Sequence, residues 1–217
     1  MNGLINTSAQ FNGRVKQHAY DICVGWVISN KDITGQGRVQ VHLPTVPEFE
    51  PWARIAVPMA GAGRGTYFIP QEKDEVLVVF NRGDIREAYI VGSLWNGLDS
   101  PPATGLQDPV NKRIVRTPQG HEIELDDALE SITITSCGGH KVTIDPSGIE
   151  LETSGGGAKV TLDDKGNKIS VEAENSISLK ASDVTIEGKN ISIKGSSSVQ
   201  VQGGQLCSVK AGTVKIN

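Results

Sequence analysis

After Trp95 the chain contains no phenylalanine, tyrosine or tryptophan, a gap of more than half its 217 residues. A globular core normally uses large aromatic side chains to bury area, so this absence excludes a thick interior there. Cysteine is scarce and scattered. Cys23, Cys137 and Cys207 are odd in number and far apart, with no C-x-x-C pair, which excludes both a disulfide framework and a clustered zinc site. Each is expected to be a small buried hydrophobe. No apolar run approaches the roughly 18 residues of a membrane-spanning helix. The opening MNGLINTSAQFNGRVK lacks a basic-then-apolar leader, and synthesis in the cytoplasm is the expectation. Neither charge sign dominates: the formal net charge is −4, without the basic surface that nucleic acid or an anionic membrane would need. His18, His42, His121 and His140 are scattered, and neither a metal nor a cofactor is expected.

What is present in excess is glycine, 25 of 217 residues, and repetition. From Lys168 onward one short unit recurs: Ile169–Val171, Ile177–Leu179, Val184–Ile186, Ile191–Ile193, Val199–Val201, Cys207–Val209 and Val214–Ile216, beginning 8, 7, 7, 8, 8 and 7 residues apart. Each unit places two apolar residues around one polar residue, the period of a strand with one buried face. Gly, Ser, Asn, Asp and Lys lie between the units and suit turns and surface. Looser pairs extend the pattern upstream: Ile123/Leu125, Ile132/Ile134, Val142/Ile144, Ile149/Leu151 and Val160/Leu162. A fixed short period predicts a stacked, elongated β architecture. A single-chain parallel β-helix and an association of several chains both fit that spacing.

The first half reads differently. Five strand-like runs, Ala19–Ser29, Gly37–Leu43, Trp52–Pro58, Glu75–Asn81 and Glu87–Gly92, are separated by Asn, Asp, Gly and Pro. Five short strands closed on themselves make an OB-type barrel. The stretch Trp95 to Pro118 is rich in Pro and Gly and reads as a connector. The expected organisation is therefore an arm (1–19), a barrel (20–95), a connector (96–120) and a β-structured rod (121–217). Glu122, Glu124, Asp126 and Asp127 read as a charged surface run rather than the carboxylate pair of a glycosidase.

The runs GWVISNKD and GQGRVQVHLP (Gly25–Pro44), WARIAVPMAGAGRGTYFIP (Trp52–Pro70), DEVLVVFNRGD (Asp74–Asp84) and YIVGSLWNG (Tyr89–Gly97) together resemble the spike proteins of contractile tails. Those are phage baseplate assembly protein V and the spike core of VgrG proteins. The resemblance implies an all-β chain, an OB-fold barrel followed by an intertwined three-stranded β-helix in a homotrimer. It marks Trp52, Gly61, Gly63, Gly65, Asp74 and Gly92 as the barrel signature, serving as scaffold and not catalysis. Trp52 and Trp95 are expected to pack the barrel and its junction. The trimer core would be Ile169, Val171, Ile177, Leu179, Val184, Ile186, Ile191, Ile193, Val199, Val201, Cys207 and Val209.

The implied work is mechanical: a central spike in a phage tail baseplate or injection particle, seated on a tail hub protein by its barrels and driven into the target cell envelope. The family's large hub domain and inserted lysozyme domain are not found here, so no enzyme activity is expected. The end Val214, Ile216 and Asn217 lacks an iron-binding His-x-His tip, so a small PAAR-type tip protein is the expected cap. Two other classes fit the residues: an OB-fold module for oligosaccharide or nucleic acid using Arg54, Arg64 and Arg82 with Tyr67 and Phe68, and an adhesive or polysaccharide-degrading β-helix. A rod without surface aromatics speaks against the latter.

Overall fold

A computed structural model describes residues 22–103 and 110–216. All its regular elements are strands. Residues 1–21, which include the expected arm and the start of the first strand-like run, lie outside the described residues, as does Asn217.

The barrel is built from β1 (Ile22–Ser29), β2 (Val39–His42), β3 (Trp52–Ile55), β6 (Glu75–Asn81) and β7 (Asp84–Leu94), closed in the order β1-β2-β3-β7-β6. Strict alternation along β1 and β6 drives closure. Cys23, Val27, Val76, Val78 and Phe80 point inward, where Val39, Val41, Leu43, Ala53, Ala88 and Ile90 meet them. Burying a Leu43 or an Ile90 contributes about 1.5–3 kcal/mol each. Irregular register between β6 and β7, at Leu77/Val78 and Phe80/Asn81, bends the long β7 around the barrel, as bulges do. It reaches β3 in parallel, which closes the wall. Arg82 (φ +53) and Gly83 (φ +78) make the tight turn into β7, the place where a polar turn was expected. A small hairpin, β4 (Ala60–Gly61) and β5 (Arg64–Gly65), hangs beside the barrel. It contains the expected signature glycines. Gly65 is irreplaceable on local grounds: its φ is +151, and a Cβ would lie 2.5 Å from the Met59 carbonyl oxygen.

The second half forms a seven-stranded antiparallel meander: β8 (Lys112–Arg116), β9 (Glu122–Asp126), β10 (Ser131–Thr135), β11 (Lys141–Asp145), β12 (Gly148–Glu152), β13 (Ala158–Asp163) and β14 (Lys168–Ala173). The expected apolar pairs fall on β9 to β13, but tight turns fold each strand back on its predecessor. Within one chain they form hairpins rather than a stacked coil, because connections this short can only join antiparallel neighbours. β8 lies inside the stretch read as a connector. Its sequence, KRIVR, hides the strand period behind three basic side chains.

Candidate assembly surface

Register sorts the meander into two unlike faces. On one face run two unbroken cross-strand rows. The first passes through Val115, Ile123, Ile134, Val142, Leu151, Val160 and Val171; the second passes through Leu125, Ile132, Ile144, Ile149, Leu162 and Ile169. The opposite face carries Glu124, Thr133, Thr143, Glu150, Thr161 and Ser170 in equivalent positions.

An antiparallel sheet with one apolar face needs a second layer over it. No described element packs on these rows, and nearly all of their side chains remain open to solvent. Together they make a contiguous apolar patch of the kind that marks an interaction site. Ile134, Val142, Leu151, Val160 and Val171 line a shallow hollow of about 620 Å3, and Ile177 of the second tail unit borders it.

The tail continues the same chemistry without any sheet of its own. Of the seven units only Ile169–Val171 lies in a strand, β14. From Glu174 to Ile216 no strand is assigned. Ile177, Leu179, Val184, Ile186, Ile191, Ile193, Val199, Val201 and Val209 are all exposed, with Ile193 at 71%. Val214 and Ile216 at the expected docking end are exposed as well.

The polar face is ordered by ion pairs. Lys112 Nζ bridges Glu124 (3.0 Å) and Asp126 (3.3 Å), and these carboxylates hold its ammonium above its ordinary range. Arg116 pairs with Glu122, and Lys159 with Glu150 at 2.8 Å. Arg113 lies on the other face, opposite Leu125 at the end of the second row, and pairs with Asp127 of the turn after β9. The expectation of a plain surface run fails at Asp126, which is 5% exposed. Its carboxylate accepts the N–H groups of Leu129 and Ala128, both at 3.0 Å. The Leu129 N–H and Lys112 keep it below the usual carboxylate range. It anchors the β9–β10 turn.

Cysteine also divides. Cys23 is buried, and burial raises its thiol; Cys137 and Cys207 are exposed on the single chain. Cys137 departs from expectation because it sits in a tight turn, Ser136 to His140, beyond the end of β10, where its side chain is exposed. That turn belongs to a small motif sequence reasoning missed. Thr117 and Ser136 each head a turn closed by the N–H of Gly120 and Gly139, and each accepts the N–H of the next histidine, His121 or His140. His121 Nδ1 then accepts the Cys137 N–H, and His140 Nδ1 accepts the Ser154 N–H. The signal was visible as S/T-x-x-G-H occurring twice.

In the barrel, Asp74 caps the turn before β6 by accepting the Gln71 N–H at 2.8 Å. Trp52 is half-buried, with the Arg38 guanidinium 5.8 Å from its ring centre. Gly92 lies in β7 with open space above it. Trp95, expected in the junction, is 70% exposed. Arg54, Arg64, Tyr67 and Phe68 gather around one hollow. Arg82 stands apart from it, in the β6–β7 turn.

Comparison with known proteins fits this division. Residues 23–95 match the Type VI secretion system/phage-baseplate injector OB domain. Residues 112–171 match the phage baseplate V C-terminal trimerisation domain. These two matches cover the barrel and the uncovered meander, and together most of the chain. The chain belongs to the baseplate-V and VgrG-type spike family. It is an all-β member, with an OB-fold barrel preceding a trimerisation domain. The type VI secretion system spike protein VgrG3 of Vibrio cholerae is 32% identical over 87 residues, a stretch covering 37% of this chain. That stretch is 8% of VgrG3, so the likeness concerns a small part of a much longer protein.

Proposed function

We propose that the chain is the structural central spike of a contractile phage tail or phage-like injection particle, working as a homotrimer. The observation that carries this is the pair of apolar rows, one seven strands long and the other six, left uncovered in a segment similar to a trimerisation domain. Three copies placing these rows against one another would bury them around a common axis. The tail units then find in neighbouring chains the backbone partners they lack in one chain, forming an interwoven three-stranded β-helix over the rest of the rod. Every chain would be hydrogen-bonded to its neighbours along the length, so bending requires many bonds to break together. Polar Ser, Thr, Glu and Lys would face outward and keep the rod soluble. Such a rod transmits force, and no catalysis is asked of it.

In this reading the sheath supplies the work, the barrels seat the spike on a hub protein, and the far end pierces the target envelope. A PAAR-type protein would cap Val214, Ile216 and Asn217. The deciding experiment is the solution mass of the purified full chain by light scattering after size exclusion. A mass near three times 23.1 kDa with an elongated profile is expected. A compact monomer would sink the spike reading.

A further inference from the structure

Beside the barrel, the β1–β2 loop, β3 and the β4–β5 segment surround a hollow of about 720 Å3. Its walls are held from both sides. The Asp32 carboxylate accepts the N–H groups of Thr34, Gln36 and Arg38 at 3.0–3.1 Å and pairs with the Arg38 guanidinium. That fixes the loop carrying Gly35 to Gly37. Across the hollow, the Thr66 N–H donates to the Met59 carbonyl at 3.0 Å. The hollow is therefore preformed.

Its chemistry is one-sided. Two arginines, Arg54 and Arg64, line it and no carboxylate does. Among the described residues, Arg38, Arg86, Arg113 and Arg116 each hold a carboxylate. Neither Arg54 nor Arg64 forms an ion pair there; Arg54 lies over the Tyr89 ring at 5.6 Å. The Thr66 hydroxyl is buried without a partner, although buried polar groups are ordinarily paired. Tyr67 is 81% and Phe68 67% exposed. Unpaired guanidinium groups beside exposed aromatics are the composition of interface anchors, and guanidinium geometry matches a carboxylate in a two-pronged contact.

We propose that this hollow receives a carboxylate-bearing, apolar-flanked segment of a different protein subunit. The proposal rests on the spike reading only for where that subunit is found: in the particle, on the barrel side. Single-stranded nucleic acid uses the same residue types but needs a track of cations for its phosphates. Here Ile55, Val57, Met59 and Ile69 occupy the rest of the wall, which suits a protein segment.

A photoreactive phenylalanine at position 67 of the full chain, in assembled particles, tests this. Illumination is expected to join it to an Asp- or Glu-containing peptide of another kind of subunit. The double change Arg54→Glu and Arg64→Glu should cut that yield at least about tenfold, since like charges would then face one another across the contact, while leaving the solution mass unchanged. No crosslink, a crosslink only to another copy of this chain, or an unaltered yield in the double variant would each overturn the proposal. So would salt-sensitive binding of fluorescent oligothymidylate that the double variant loses, because the occupant would then be nucleic acid. A second photoreactive group at position 191 separates the two readings. A monomeric chain without copy-to-copy crosslinks there removes the spike, whatever position 67 reports.

Discussion

Gly148 opens β12 with φ +143, and a Cβ there would lie 1.9 Å from the Leu162 carbonyl oxygen. Leu162 is on the strand paired with it, so neither side can yield without parting β12 from β13. Gly148→Ala should destabilise the sheet by about 1–3 kcal/mol or more, read as a lowered melting temperature. Gly120→Ala faces open space at φ +89 and should cost only the left-handed penalty, about 1–2 kcal/mol. Equal losses would show that the close approach does not matter. Acid sensitivity also belongs to single residues. Asp84, held by the Arg86 side chain and N–H, titrates at about 2 against an ordinary 3.8. A lowered native value means that this residue's contribution is complete above the ordinary value and is lost as pH falls through the window from 3.8 to about 2. Asp126 and Asp145 are displaced in the same direction, by the Leu129 N–H and by Ser147. Asp84→Asn should therefore lower stability above pH 3.8, flatten the acid limb, and meet the parent's stability–pH curve near pH 2.

Adjacent residues on one strand can meet opposite environments, and the assembly reading is tested at that scale. Ile144 belongs to an apolar row of the meander, and Thr143 to the polar face behind it. In the trimer, Ile144→Lys would bury three like charges together, which is very costly without partners. Thr143→Lys adds charge to an already polar face. The first should abolish the trimer in light scattering, and the second should leave its mass intact. The tail offers the same contrast. Ile191→Asp should prevent assembly, and Ser192→Asp should be tolerated. If both members of either pair assemble equally well, the inward and outward assignment is wrong.

The whole molecule divides its stability unevenly. The barrel owns a closed core of Val, Leu, Ile and Phe. The meander and tail leave their apolar residues open until other copies arrive. Stability of the rod should then depend on chain concentration, as mass action requires of an obligate oligomer. Thermal unfolding followed over a hundredfold dilution should show the rod's transition moving to lower temperature. Because apolar contacts dominate that interface, added salt should move it little. A transition independent of concentration would mean that one chain covers its own apolar rows.

Much of this was legible in the residues themselves. Alternation in β1, β6 and the pairs of β9 to β13 needs only the two-residue period of a strand, and the missing aromatics already announced a thin second half. Gly83, Gly63 and Gly65 marked turns because few other residues take those conformations. Local pattern determines which face of a strand is apolar. It does not determine the strand beside it. Pairing decided that Val115 to Val171 make one row, that β8 joins the sheet despite its basic sequence, and that the expected coil begins as hairpins. Burial of Asp126 and exposure of Cys137 were likewise set by turn geometry. Residue type alone could group Arg54, Arg64 and Arg82 with Tyr67 and Phe68; the tertiary structure gathers four of them around one hollow and leaves Arg82 in a distant turn, because they meet only where the barrel wall and its hairpin come together in space.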